Sequence, residues 1–300
     1  MQRLLLAVLL WALPIGAQPR DAGRGGESPP LPEGVRAQLD IAYDDASPAQ
    51  KLDLYLPPED GAALRPALVA VHGGGWRGGD KQRGQWSRIP AEYASYGYVA
   101  ISVNYRLTGE APWPAQIEDV KAAVRWLRAH AEEYRIDPGR IGAYGNSAGA
   151  HLVSLLGLVD KAAGLEGSSP HLEQSSLVQA VCASAAPTDF LNWGSPGVLP
   201  RRLGNTLLAG PEGGLEARAR QASPITYANS GAPPFLLVHG TADRTVPIQQ
   251  SDRFAAALRE AGAGEVRYMI FDNEGHGVFG RQRLLTYPAM RAFFANALGE

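Results

Sequence analysis

Cysteine is almost missing from this sequence: Cys182 stands alone among 300 residues, so no internal disulfide can staple the fold. Its neighbours Val181 and Ala183 are apolar, and a buried, inert thiol is the expectation. An excess of either charge is missing too. Twenty-eight Lys and Arg face 30 Asp and Glu, the formal net charge is −2, and the signs are interspersed. No basic stripe points to nucleic acid and no acidic block to a solvated tail. His, Cys and carboxylate side chains nowhere stand at metal-ligand spacing, so no metal and no other cofactor is expected. Also lacking is a run of about 20 apolar residues, the length that spans a bilayer. The nearest approach is Leu4 to Leu13, preceded by Arg3, broken by Pro14 and followed by Gly16-Ala17. That is the pattern of a cleavable secretory signal over residues 1–17, and it predicts a secreted or periplasmic protein without a stable membrane anchor.

What the chain does contain is apolar material, 45% of its residues, ample for a sizeable core. Residues 18–34 are rich in Pro and Gly and suit a flexible leader, which leaves one domain over 35–300. Gln38–Tyr43 and Lys51–Leu56 alternate polar and apolar residues around an Asp44-Asp45 turn, which predicts a hairpin of edge strands. Ala67–Val71 and Tyr98–Val103 are near-continuous apolar runs, as in parallel strands covered on both faces. Between Ala115 and Tyr134, Ile117, Val120, Val124, Leu127 and Ala131 recur at helical steps, and Asp137-Pro138-Gly139 reads as the turn that ends the helix. Apolar runs at Leu177–Ala183, Phe235–Val238 and Val266–Phe271 continue the alternation, with helices expected at Gln249–Glu260 and Leu284–Leu298. The fold class is therefore α/β, a mostly parallel central sheet flanked by helices on both faces. Residues 188–232 break the rhythm with Gly, Pro and Arg clusters, and are read as a small lid insertion over the site.

The chain is organised around Arg140 to Gly149, an apolar strand that runs through Gly145-Asn146-Ser147-Ala148-Gly149 into a helix. A Gly-x-Ser-x-Gly turn in that setting is a nucleophile elbow: the serine sits on strained backbone and its hydroxyl stands clear of the sheet. A serine hydroxyl is a weak nucleophile until a histidine takes its proton and a carboxylate holds that histidine. Asp243, just past the strand ending at Val238, is the expected acid. His276, between glycines in the loop after the last strand, is the expected base. Asp189, Asp272 and Glu274 are the rival acids. Of the other histidines, His130 and His171 lie in polar surroundings, while His72, His151 and His239 lie in or beside turns and are read as orienting backbone. His72-Gly73-Gly74-Gly75-Trp76 follows a central strand, and its glycines leave amides open to an incoming oxygen.

Together, His-Gly-Gly-Gly-Trp at 72–76, Gly-Asn-Ser-Ala-Gly at 145–149, His-Gly-Thr-Ala-Asp-Arg-Thr-Val-Pro at 239–247 and Gly-His-Gly at 275–277 resemble the α/β-hydrolase superfamily. Within it the chain is similar to secreted esterases of the acetylxylan and feruloyl type. The resemblance implies the α/β-hydrolase fold and a triad of Ser147, Asp243 and His276. It implies an oxyanion hole from the amides of Gly74, Gly75 and Ala148, with Gly73 as the alternative for one glycine, and substrate contacts from Trp76 and Asn146. The implied activity is ester hydrolysis through an acyl-serine, on a small-molecule or polysaccharide-linked ester with short-chain or aryl acyl groups. Trp76, Trp86, Trp113 and Trp193 are available to stack on sugar or aromatic rings. Two other readings stand beside it: an amide hydrolase, because His-Gly-Gly-x-Trp also resembles kynurenine formamidase, and a non-catalytic binding protein on the same fold.

Overall fold

The strands alternate their side chains between two apolar layers, and that alternation decides where every helix packs. In the computed structural model, which describes residues 30–59, 61, 64–168, 170–210 and 213–299, eight strands form one sheet in the order β1-β2-β4-β3-β5-β6-β7-β8. They are β1 (Arg36–Ala42), β2 (Lys51–Leu56), β3 (Arg65–Val71), β4 (Val99–Val103), β5 (Ile136–Asn146), β6 (Ala180–Ser184), β7 (Phe235–Gly240) and β8 (Val266–Phe271). β1 and β2 pair antiparallel, β2 pairs antiparallel with β4, and every later pairing is parallel.

Val69 and Val71 of β3 and Ile141 and Ala143 of β5 point to one face, where α2 (Ala115–Ala129), α4 (Ala148–Leu158) and α7 (Gln249–Glu260) cover them with Val120, Leu152 and Phe254. Leu68, Tyr144, Cys182 and Leu236 point to the other, against α1 (Gln85–Ser95), α8 (Val278–Arg281) and α9 (Arg283–Leu298) through Ile89, Phe279 and Phe293. Cys182 is fully buried and its thiol is pushed far above its ordinary value by burial, an inert group.

The lid interval holds α5 (Arg201–Gly204), α6 (Gly214–Ala222) and a 3-10 turn at Pro224–Tyr227, with no strand among its described residues. Three boundaries differ from the expectation. Of the hairpin's two strands only β1 lies at a sheet edge, because β2 is covered by β4 on its far side. The helix expected through Tyr134 stops at Ala129, where His130 leaves helical geometry (φ −99°, ψ 16°), and resumes as the single turn α3 (Ala131–Tyr134). The Asp137-Pro138-Gly139 turn lies within β5: the pairing with β3 jumps from Ile136 to Ile141, and Asp137 accepts hydrogen bonds from Gly139 N and Arg140 Nε inside the bulge. Helix α1 had no clear signal, because Pro90 sits in its middle. The expected signal segment 1–17 and residues 18–29 of the leader lie outside the described residues. Among the described residues no helix is long and apolar enough to cross a membrane.

Helix α2 is tied down by buried charge as well as by apolar contact. Glu166 receives Lys121 Nζ at 2.6 Å and pairs with Arg125 Nη1, while Ser176 Oγ donates to it at 2.9 Å. Both cations are fully buried, so deleting the carboxylate strands them without a counter-charge. Glu166→Ala is expected to lower unfolding free energy by about 3–5 kcal/mol, read as a fall in the urea midpoint; a shift under about 1 kcal/mol would show that water reaches the pair.

Candidate active site

The nucleophile position is set by how closely β5, α4 and β3 approach one another. Ser147 joins β5 to α4 with φ 56° and ψ −121°, backbone that L residues adopt at a cost of about 1–3 kcal/mol. A Cβ on Gly145 would stand 2.4 Å from the Gly149 carbonyl carbon, and one on Gly149 would stand 2.0 Å from Val71 O. Glycine is therefore required two residues before and two after the serine. Ser147 N donates to Ser184 O at 2.8 Å, which anchors the elbow to β6.

Asp243 and His276 arrive on the loops after β7 and β8, neighbouring parallel strands. Thr241 N bonds Phe271 O and Ala242 N bonds Glu274 O, so the two loops are held as one surface. His276 Nδ1 donates to Asp243 Oδ2 at 2.7 Å. Asp243 Oδ1 takes the amides of Thr245 and Val246 at 2.8 and 3.0 Å, and His239 Nε2 lies 3.3 Å from Oδ2. Burial works to raise the Asp243 carboxyl, but hydrogen bonds from His239, His276 and the Val246 amide outweigh it and hold the group well below the usual carboxylate range. The acid is thus a fixed anion whose four contacts leave one orientation for the imidazole. Ser147 makes no hydrogen bond to His276 among the described residues.

The structure separates the rival acids from the base. Asp189 is held by Asn192 and pairs with Arg253 Nε at 3.2 Å, Glu274 bonds Gln282 and faces Arg281, and Asp272 is exposed.

Ala148 begins α4, so its amide has no carbonyl one turn back to bond and points out of the helix start. The amides of Gly74 and Gly75 likewise make no hydrogen bond among the described residues. Gly74 has φ 124°, and a Cβ there would stand 2.0 Å from Gly78 O. His72 stacks on Tyr105 at 4.5 Å, donates from Nδ1 to Gly73 O at 2.8 Å, and has its own carbonyl bonded by the Tyr105 hydroxyl. The loop is therefore braced from below while these two amides stay unbonded among the described residues.

Gly75, Trp76 and Ser147 line a cavity of about 330 Å³ with Val246 and with Trp193 and Leu203 of the 188–232 interval. A larger cavity, about 580 Å³, opens at Trp113, Ala217 and Gln221 and contains none of the candidate catalytic residues, so volume alone does not locate the site. Trp76, expected to contact substrate, lines the same cavity as Ser147. Asn146, also expected to contact substrate, is not among that cavity's lining residues; its side-chain amide lies 3.3 Å from Ser184 O and Oγ and braces the elbow on β6.

Two histidines carry more than the sequence indicated. His239 belongs to β7 and touches the acid. His151 lies in α4, the helix that follows the elbow; its Nδ1 accepts from Trp76 Nε1 at 3.2 Å and its Nε2 donates to Ala222 O at 2.7 Å, which links the 72–76 loop, α4 and α6. No local pattern could have revealed this, since Trp76 and Ala222 lie 75 and 71 residues away.

A mostly parallel sheet in this strand order, with the serine turn after β5, an acid after β7 and a histidine after β8, defines an α/β-hydrolase fold. The BD-FAE family model matches residues 52–258, and the chain belongs to that family. It is 34% identical over 264 residues to the probable carboxylic ester hydrolase LipM of Mycobacterium tuberculosis, covering 85% of this chain and 60% of LipM. The chain thus spans about three fifths of that relative's length. Among solved structures, a truncated carbohydrate esterase from gut microbiota superposes with a TM-score of 0.75 at 28% identity, covering 88% of this chain and 97% of that one. The butyrate-bound esterase Est2 of Thermogutta terrifontis gives 0.72 at 28% identity, covering 89% and 95%.

Burial depresses the His151 imidazole to about 4, against a partial opposing pull from Ala222 O. The unfolded chain then binds this proton at higher pH than the folded chain does, so stability falls as pH drops from about 6.5 toward about 4. The expected loss from this group is about 3 kcal/mol across that window. Asp243 adds a loss of the same sign at lower pH, its contribution being complete above 3.8. Urea unfolding measured at a series of pH values should show the first slope, and His151→Gln should flatten it; an unchanged slope in the variant would assign the loss to other groups.

Proposed function

We propose that the chain is a serine carboxylic ester hydrolase that works through an acyl-enzyme on short-chain or aryl acyl esters. The observation that carries this reading is the 2.7 Å hydrogen bond from His276 to the buried Asp243, beside a serine on strained backbone. In the proposed cycle His276 Nε2 takes the Ser147 proton as Oγ attacks the ester carbonyl. The tetrahedral oxygen rests on the amides of Gly74, Gly75 and Ala148. The alcohol leaves with the proton from His276, and water activated by the same imidazole attacks the acyl-serine and releases the acid. Asp243 keeps the imidazole in the tautomer with its proton on Nδ1 and balances the imidazolium that forms.

The family membership and the esterase names carried by LipM and the structural neighbours support ester rather than amide chemistry. The neighbour named a carbohydrate esterase supports acetyl or feruloyl groups on plant polysaccharide as the substrate, and the Leu4–Leu13 signal pattern supports export. A cavity of about 330 Å³ suits a short acyl chain or a single ring.

Hydrolysis of para-nitrophenyl esters from acetate to decanoate should peak at the short end. Ser147→Ala is expected to lower the rate about 10³-fold or more, and Asp243→Asn about 10³- to 10⁴-fold through the wrong imidazole tautomer. Full activity in the serine variant would remove Ser147 from the mechanism, and cleavage of matched anilides without the esters would move the reaction to amides.

A further inference from the structure

Two cations line the cavity that holds Ser147, and the proposed cycle uses neither: Arg202 from lid helix α5 and Arg244 from the loop after β7. The Arg202 guanidinium reaches over the oxyanion loop, its Nη2 only 3.4 Å from the point where a Cβ on Gly75 would stand. Arg244 follows the acid Asp243 directly and stands beside Thr245 and Val246 on the opposite bank.

Neither arginine pairs with a carboxylate among the described residues, in contrast to their neighbours. Arg253 is bound to Asp189, Arg220 to Glu216, and Arg281 faces Glu274. Among the described residues no Asp or Glu lines the cavity. Asp243, next to Arg244 in the chain, is buried and spends its oxygens on His276, His239 and two backbone amides. What remains is a slot with apolar walls, Trp76, Trp193 and Leu203, and two guanidinium groups at its rim that no described carboxylate compensates. A planar guanidinium matches a carboxylate with two parallel hydrogen bonds and raises the local concentration of anions before contact.

We propose that this site selects esters that carry a carboxylate apart from the reacting carbonyl, and that Arg202 and Arg244 recognise that carboxylate. The proposal rests on the ester-hydrolase reading and narrows its substrate class to acidic esters: hemiesters of dicarboxylic acids on the acyl side, or esters of a carboxylate-bearing alcohol such as an acidic sugar or hydroxybenzoate.

Two matched pairs test it. Para-nitrophenyl hemisuccinate against para-nitrophenyl pentanoate places the charge on the acyl side, and 4-acetoxybenzoate against 4-acetoxybenzamide places it on the alcohol side. At low salt, kcat/KM for the anionic ester should exceed that of its neutral partner by about tenfold in at least one pair, mainly through KM. The ratio should fall toward one in the Arg202→Gln/Arg244→Gln double variant and as ionic strength rises. A ratio at or below one in both pairs, or one that the double substitution leaves in place, overturns the proposal. Turnover of the neutral esters without charge selectivity overturns this proposal alone. Turnover of none of the four esters overturns the ester-hydrolase reading, and this inference with it.

Discussion

The first turn of α4 lies against the bare backbone of the central strand, and the remaining features of the site follow from that approach. Gly149 sits so near the Val71 carbonyl that a methyl group cannot be placed between them, and Gly145 meets Gly149 as tightly. Because β5 and α4 close to this distance, the residue between them must turn through left-handed backbone, and that turn lifts the Ser147 hydroxyl out of the sheet. The same closeness brings the start of α4 alongside the loop after β3, so the proposed nucleophile and the proposed anion-binding amides share one packing constraint. The strain at Ser147 is held by the two apolar layers of the sheet, which fix β5 and α4 through Ala143, Leu152 and Leu155.

Electrostatics completes what packing begins. A lone carboxylate at Asp243's depth would be driven toward its neutral form, and a neutral acid could not hold an imidazole. Two backbone amides and two histidines reverse that tendency, and the loops that supply them are joined by the backbone bonds between Thr241–Ala242 and Phe271–Glu274. The elbow is rigid because glycines permit it, whereas the acid is rigid because hydrogen bonds surround it.

Much of this was readable in one dimension. The strands show as apolar runs because both faces are covered, and Gly-x-Ser-x-Gly between a strand and a helix names its own geometry. Asp243 and His276 were found by their place after strands, not by spacing, since 33 residues separate them. The bond from Asn146 to Ser184 left no trace in the sequence, because only the register of β5 against β6 brings the two together. Asp137-Pro138-Gly139 was misread because a bulge inside a strand uses the same residues as a turn between elements. The link through His151 depends on contacts across more than 70 residues and leaves no local trace.

The central claim is that Ser147 carries the acyl group between two half-reactions, and the most direct measurement is the mass of the enzyme during turnover. A sample mixed with excess para-nitrophenyl acetate, quenched in acid within the first turnovers and digested, should show one acetyl group on the peptide that contains Ser147 and on no other. Release of nitrophenol with Ser147 unmodified at every quench time, or with the acetyl group on another residue, would contradict the account.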